Sequence, residues 1–177
     1  MDDFGTQDGT EPARWLLMIH QLPAKPAYLR VKIWRRLQAL GAVTVKNSVY
    51  ALPADEQTRE DFEWLLKEIV DGGGEALICE ARLIAGLSDP DLRTMFNAAR
   101  DAEYDALAKE ARELGERLSG ETDTTTRADA RARLPKLKAE LARIVAIDVF
   151  GANGRETVDG LLATLGAQLQ EDGPMKA

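Results

Sequence analysis

The chain is poor in the residues on which most catalytic and metal chemistry depends. It has one histidine, His20, so a multi-histidine metal site is excluded. It has one cysteine, Cys79, which cannot close an internal disulfide; in the apolar run Ala76-Leu77-Ile78-Cys79 it reads as a buried, inert thiol. A reducing cytoplasm is the expected setting. The first eleven residues are acidic and polar with no apolar core, which excludes a signal peptide or membrane span there. Hydrophobic residues make up 45% and charged residues 30% of 177, and that balance describes a soluble globular protein able to bury roughly two thirds of its unfolded surface.

The most informative absence is that of acid. No aspartate or glutamate occurs between Glu11 and Asp55, while Arg14, Lys25, Arg30, Lys32, Arg35, Arg36 and Lys46 put seven positive charges there. The formal net charge is −7, so the remainder carries −14. A local positive field on an acidic body attracts anions while the body stays soluble. The alternative is an ordinary solvated basic helix face.

The same stretch has a readable framework. Residues 1–12 read as a disordered arm. Trp15 to Leu22 is a near-continuous apolar run ending at Pro23, which predicts a strand buried on both faces. Leu29, Ile33, Leu37 and Leu40 recur at helical spacing up to Gly41, predicting a helix over 27–40 with Gly41 as its C-terminal cap. Ala42–Val45 and Ser48–Leu52, separated by Lys46-Asn47, predict a tight hairpin with Lys46, Asn47 and Ser48 at its tip. Thr58 followed by Asp61 resembles a capping box and opens a predicted helix over 58–70, which Gly72-Gly73-Gly74 ends. No Lys-Ser/Thr follows these glycines, so they read as a helix stop and not a phosphate loop. Ala76–Ile84 is a further predicted strand.

This order, βαββαβ, is ferredoxin-like: an α+β domain over 13–86 with both helices on one face of a four-stranded antiparallel sheet, and the first and last strands expected in its middle. The other face would leave large apolar side chains exposed at about 1.5–3 kcal/mol each, so a cover is expected. The helical remainder, 87–170, is the candidate, packed on this domain or on a dimer partner. Its predicted helices run from Pro90 to Leu118, capped by Ser88 or Asp89, then over 127–149, where Pro135 must start or kink the helix, and then after Gly154. Residues 171–177 read as a loose tail.

Candidate chemistry is thin. His20 at a strand end could serve as a general base, but no nucleophile constellation accompanies it, and a lone histidine there is more often just a hydrogen-bonded side chain. The carboxylates Glu103, Glu110, Glu113 and Glu116 alternate with Lys109, Arg112 and Arg117 as on a solvated helix face. No enzyme, cofactor or metal is therefore expected. Anion binding has better material in Arg30, Lys32, Arg35, Arg36 and Lys46, with Asn47 and Ser48 beside them and Arg82, Arg100 and Tyr104 as further pocket candidates. Trp34 and Tyr50 interleave with these charges and either stack on bases or pack as core or rim aromatics. No helix-turn-helix or zinc-finger spacing is present.

Several separated motifs, in order, resemble one family. They are Arg14-Trp15-Leu16-Leu17, Arg30-Val31-Lys32-Ile33-Trp34-Arg35-Arg36-Leu37, Asn47-Ser48-Val49-Tyr50-Ala51-Leu52-Pro53, Phe62-Glu63-Trp64-Leu65, Gly73-Gly74-Glu75-Ala76, Phe96-Asn97-Ala98-Ala99-Arg100 with Tyr104, and Ile147-Asp148-Val149-Phe150-Gly151-Ala152. Together they resemble the N-terminal domain of the ChrB chromate-resistance regulators over about residues 13–170. The resemblance implies a cytoplasmic, chromate-sensitive transcriptional regulator that binds promoter DNA of a resistance operon; larger members carry a further C-terminal domain absent from this chain. A homodimer and a chromate-like oxyanion are further expected partners, and none in the membrane. The strand-helix-hairpin portion is also similar to the ferredoxin-like domain of phenylacetate-pathway repressors and CRISPR-associated nucleases. Those nucleases close the first strand with an aspartate where this chain has His20-Gln21, which disfavours a metal-dependent nuclease. A divergent nuclease or phosphoryl-handling enzyme, and a ligand-free dimerising module, are the alternative readings.

Overall fold

The structure is a computed structural model that describes residues 14–25, 27–120 and 124–171; the arm expected at 1–12 and the tail beyond Glu171 lie outside the described residues. Two compact units divide between Arg93 and Thr94. Among the described residues no helix is long and apolar enough to cross a membrane.

The first unit has the ferredoxin-like order: β1 (Trp15–Gln21), α1 (Ala27–Ala39), β2 (Val43–Lys46), β3 (Val49–Pro53), α2 (Glu56–Asp71) and β4 (Glu75–Ala81). The sheet order is β2-β3-β1-β4, every neighbouring pair antiparallel. The central strands are therefore β1 and β3, not the first and last as the pattern predicted. Composition agrees with the edge position of β4, which carries exposed Glu75, Leu77 and Glu80, whereas Leu16, Met18, Ala51 and Leu52 of the central pair are buried. Strand β4 stops at Ala81 because its one partner, β1, offers no residue before Trp15 in the ladder.

Alternation divides β1 between two faces. Leu16 and Met18 share one face with Glu80, and Glu80 meets Arg59 of α2 at 3.1 Å, which places α2 over that face. The face is closed by Leu29, Ile33 and Leu37 of α1 with Phe62, Leu65 and Ile69 of α2, all buried. On the opposite face Trp15 is buried and its indole N–H donates to Asp89 Oδ1 at 2.7 Å, while Ile19 and its partner Leu77 remain exposed.

Termini follow local chemistry. Helix α1 ends in a Schellman motif: Gly41 has φ 73°, its N–H donates to Gln38 O, and Ala42 N–H donates to Leu37 O. Helix α2 begins one turn earlier than the Thr58–Asp61 reading, because Asp55 is the N-cap and Thr58 is the N3 partner. Asp55 Oδ1 accepts from Thr58 N–H at 2.8 Å and Thr58 Oγ1 accepts from Asp55 N–H at 3.1 Å. In the glycine triplet, Gly73 adopts φ 81°, whereas Gly74 is needed for clearance: a Cβ there would sit 2.8 Å from Ile69 Cγ2 and 2.9 Å from Gln21 O. The hairpin turn is Asn47-Ser48, one residue later than read, with Asn47 at φ 45° and Val45 bulged out of the ladder between Thr44 and Lys46.

The second unit is built from α3 (Asp89–Ser119), whose first turn belongs to the first unit, α4 (Thr124–Ala146) and α5 (Arg155–Glu171). Ser88 caps α3 and Asp91 bonds back to its N–H at 3.0 Å. Thr124, Thr125 and Thr126, which precede the start predicted at 127, form the first turn of α4, and Pro135 lies inside that helix without starting it. The bond it removes is tolerated because Leu134, Leu137, Leu141 and Ile144 hold the helix in one core with Tyr104, Leu114, Val158 and Leu165.

Two glycines in this unit predict opposite outcomes. A Cβ on Gly154 would lie 2.4 Å from Tyr104 Cβ, so Gly154→Ala should lower the urea midpoint, by about 1–3 kcal/mol of stability. Gly160 lies within α5 with open space around it, so Gly160→Ala should raise the midpoint by about 0.5–1 kcal/mol. Equal shifts for the two variants would contradict the packing described.

Candidate anion-binding surface

Helix α1 carries Arg30, Lys32, Arg35 and Arg36 and no acid; its neighbour α2 carries six acids and two bases. Helical phase with Leu29, Ile33 and Leu37 inward turns Lys32 and Arg36 toward α2, puts Arg35 outward and leaves Arg30 on the opposite flank. Glu68 of α2 then takes both cations that face it. Lys32 Nζ pairs with Oε1 and Arg36 Nε lies 3.5 Å from Oε2. Two cations of α1 thus share one carboxylate of α2. Above it runs a groove of about 700 Å³ between the helices, with Tyr28 on one wall and Trp64 on the other. Lys67 Nζ stands 5.7 Å over the Trp64 ring.

Of the other cations in the acid-free stretch, Arg14 pairs with Glu80 at 3.1 Å. Among the described residues, Lys25, Arg30, Arg35 and Lys46 make no ion pair. Three of these four belong to one end of the sheet. His20 N–H donates to Ser48 O at 3.1 Å, so the hairpin tip with Lys46, Asn47 and Ser48 lies at the end of β1, from which the chain passes Lys25 into α1. Arg30 Nη2 donates to Ala24 O at 2.7 Å, which holds its guanidinium back toward that same loop. Arg35 is exposed farther along α1 beside Trp34, which is also exposed and not a core aromatic.

The remaining predicted residues go elsewhere. Arg82 follows β4 at the opposite end of β1, because β4 is antiparallel to it and pairs Ala81 with Trp15. Seven residues of strand, roughly 20 Å, separate it from the hairpin tip. Arg100 and Tyr104 belong to the second unit. Arg100 is buried with its Nε 2.9 Å from Glu103 Oε2, and Glu103 Oε1 also meets Arg143 Nη2 at 3.2 Å. The Tyr104 hydroxyl donates to Asp148 Oδ2 at 3.0 Å, and Asp148 Oδ1 accepts from Ala152 N–H at 2.9 Å. Asp101 Oδ1 accepts from Asn153 N–H at 2.8 Å, and Phe96 meets Phe150 edge-on at 5.3 Å. Helix α3 thereby fixes the 147–154 loop, so Tyr104 positions a backbone turn. Burial, reinforced by the Asp148 carboxylate, raises the Tyr104 phenol to about 12.

His20 stacks on Tyr50 with ring centroids 5.5 Å apart and planes 14° from parallel, and among the described residues neither ring nitrogen has a hydrogen-bond partner. Burial lowers its pKa below the ordinary histidine value. Sequence reasoning missed Glu68, whose signal was its place on a helix that must lie antiparallel to the basic one. It also missed Asp148 as a loop anchor.

Residues 30–172 match the family described as Protein ChrB, N-terminal. Protein ChrB of Cupriavidus metallidurans is 26% identical over 90 residues, covering 51% of this chain and 27% of that protein; the match thus spans about a quarter of the relative's length. No solved structure matches the chain.

Two titrations test the buried groups. His20 is favoured neutral in the fold, so stability should fall as pH drops below 6.5 toward its lowered native value, and its NMR midpoint should lie below 6.5. The Tyr104 phenol is raised, so its contribution is complete below about pH 10 and is lost as pH climbs through about 12. Tyr104→Phe should delete an ultraviolet phenolate step near 12 and cost about 1–2 kcal/mol by leaving Asp148 short of a donor.

Proposed function

Because this chain belongs to the Protein ChrB, N-terminal family, we propose that it acts in chromate resistance as a non-enzymatic regulatory module that meets the phosphate backbone of DNA. The contact is made through the loop end of the first unit. What supports the reading is one observation: in an acidic chain, Lys25, Arg30 and Lys46 gather at the loop end of an acid-free stretch with no carboxylate paired to them among the described residues. Such cations release counterions when they neutralise phosphates, which gives affinity without sequence discrimination. Asn47, at the tip of the hairpin, and Ser48 offer neutral donors beside them. Lys32 and Arg36 contribute less, since both are already paired with Glu68.

A second ligand class is favoured by Glu68 itself. A tetrahedral oxyanion such as chromate presents the same paired oxygens as a carboxylate and would compete with Glu68 for Lys32 and Arg36. Chromate sensing at this site is thus exchange of an internal anion for an external one.

For DNA, the Arg30→Ala, Lys46→Ala double variant should bind more weakly than wild type, with the log–log salt slope flatter by roughly one to two units. Wild type that binds no DNA at low salt would remove this reading. For the oxyanion, calorimetry with chromate and with sulfate should show tighter binding to Glu68→Gln than to wild type. No heat from either protein at millimolar anion would exclude the site.

A further inference from the structure

The two helices that cover the sheet are charged in opposite senses and share one surface. Helix α1 has four basic residues and no acid, whereas α2 has six acids against two bases, giving +4 beside −4. The glutamate at position 68 pairs with Lys32 and Arg36; Arg35 on α1 and Glu56, Glu63 and Asp71 on α2 remain exposed. The outer side of this layer is also apolar to a degree that solvated helices avoid. Tyr28 is 67% exposed, Val31 47%, Trp34 54%, Trp64 63% and Val70 50%, five of the nine large exposed hydrophobic residues among those described. Exposed aromatic and aliphatic anchors set among charges are the composition of a docking surface.

We propose that the occupant of this surface is a second copy of the chain, docked helix layer to helix layer about a two-fold axis that runs along the helices. The argument is charge complementarity. An axis parallel to the helices and midway between them lays α1 of one copy over α2 of the other at both contacts, so Arg35 of each copy meets the exposed acids Glu56, Glu60, Glu63 and Asp71 of the other. An axis across the helices would lay α1 on α1 and α2 on α2, setting like charge against like. The charge pattern therefore selects one of two isologous arrangements. Since α1 and α2 are antiparallel within one chain, the selected axis also pairs α1 with the partner's α2 antiparallel, the orientation in which their end dipoles assist. Trp34 and Trp64 supply rigid anchors of the kind that dominate such interfaces. The loop end carrying Lys25, Arg30 and Lys46 lies at the margin of the layer, so the inference goes beyond the DNA reading and stands without it.

The test uses the full chain without nucleic acid. At about 100 μM and low salt, light scattering should give twice the 19.4 kDa of one chain, falling toward one chain as salt screens the contacts. Arg35→Glu alone, and Glu60→Lys with Glu63→Lys, should each weaken self-association by roughly tenfold or more with unchanged circular dichroism. An equimolar mixture of these two variants should regain the two-chain mass, because one contact is then native and the other reversed in both signs. A one-chain mass for wild type at low salt would overturn the proposal. So would a dimer indifferent to both reversals, which would place the interface on another face, or a mixture that stays at one-chain mass.

Discussion

An apolar strand at the centre of a sheet has to be covered twice. In β1 the two demands fall on alternate residues: Leu16 and Met18 are closed by α1 and α2, and Trp15 is closed by a turn whose Asp89 accepts the indole N–H. The first requirement fixes two helices side by side on one face. Everything functional in the first unit follows from that adjacency, because the chain has placed its bases on one of those helices and its acids on the other. Fold and electrostatics are thus not separate layers of description here. The packing of Leu29, Ile33 and Leu37 against Phe62, Leu65 and Ile69 decides which charges meet.

Charges that face the neighbouring helix are neutralised by it, and those that do not are left for solvent or a partner. Lys32 and Arg36 fall in the first class through Glu68, while Arg30 is drawn by the Ala24 carbonyl toward the loop end where Lys46 also lies. A basic run of sequence is therefore divided in two, one part paired within the chain and the other without a carboxylate partner among the described residues. Ion pairs as exposed as these contribute little to stability, so their significance is in which cations they withdraw from external anions.

The architecture was legible where hydrophobic periodicity was strong. The βαββαβ order, the α1 stripe, Gly41 as cap and the three later helices all follow from apolar spacing and from residues with one dominant conformational use. Boundaries that depended on choosing between two adequate caps were shifted, as at Asp55 against Thr58, where both residues take part in one reciprocal box. Strand order was misjudged because a buried apolar run and an edge strand with a buried side look alike in sequence; Leu77 and Glu80 separate them only once neighbours are known. The candidate site was legible as a composition, seven bases without an acid, and not as a geometry. Its division depended on Glu68, distant in sequence, and on helical phase. Arg82, Arg100 and Tyr104 were grouped with it by residue type, and the chain path sends them elsewhere.

In the second unit, the contact between Gly154 and Tyr104 ties two distant positions to one history. The Tyr104 Cβ and the near edge of its ring lie where a side chain at 154 would have to start, and the hydroxyl of the same residue holds Asp148, which holds the turn that returns the chain to Gly154. A side chain at 154 would push Tyr104 aside and so loosen its hydroxyl from Asp148, leaving the aspartate only its bonds from Ala152 N–H. These three positions, far apart along the chain, are thus bound to be inherited or abandoned together.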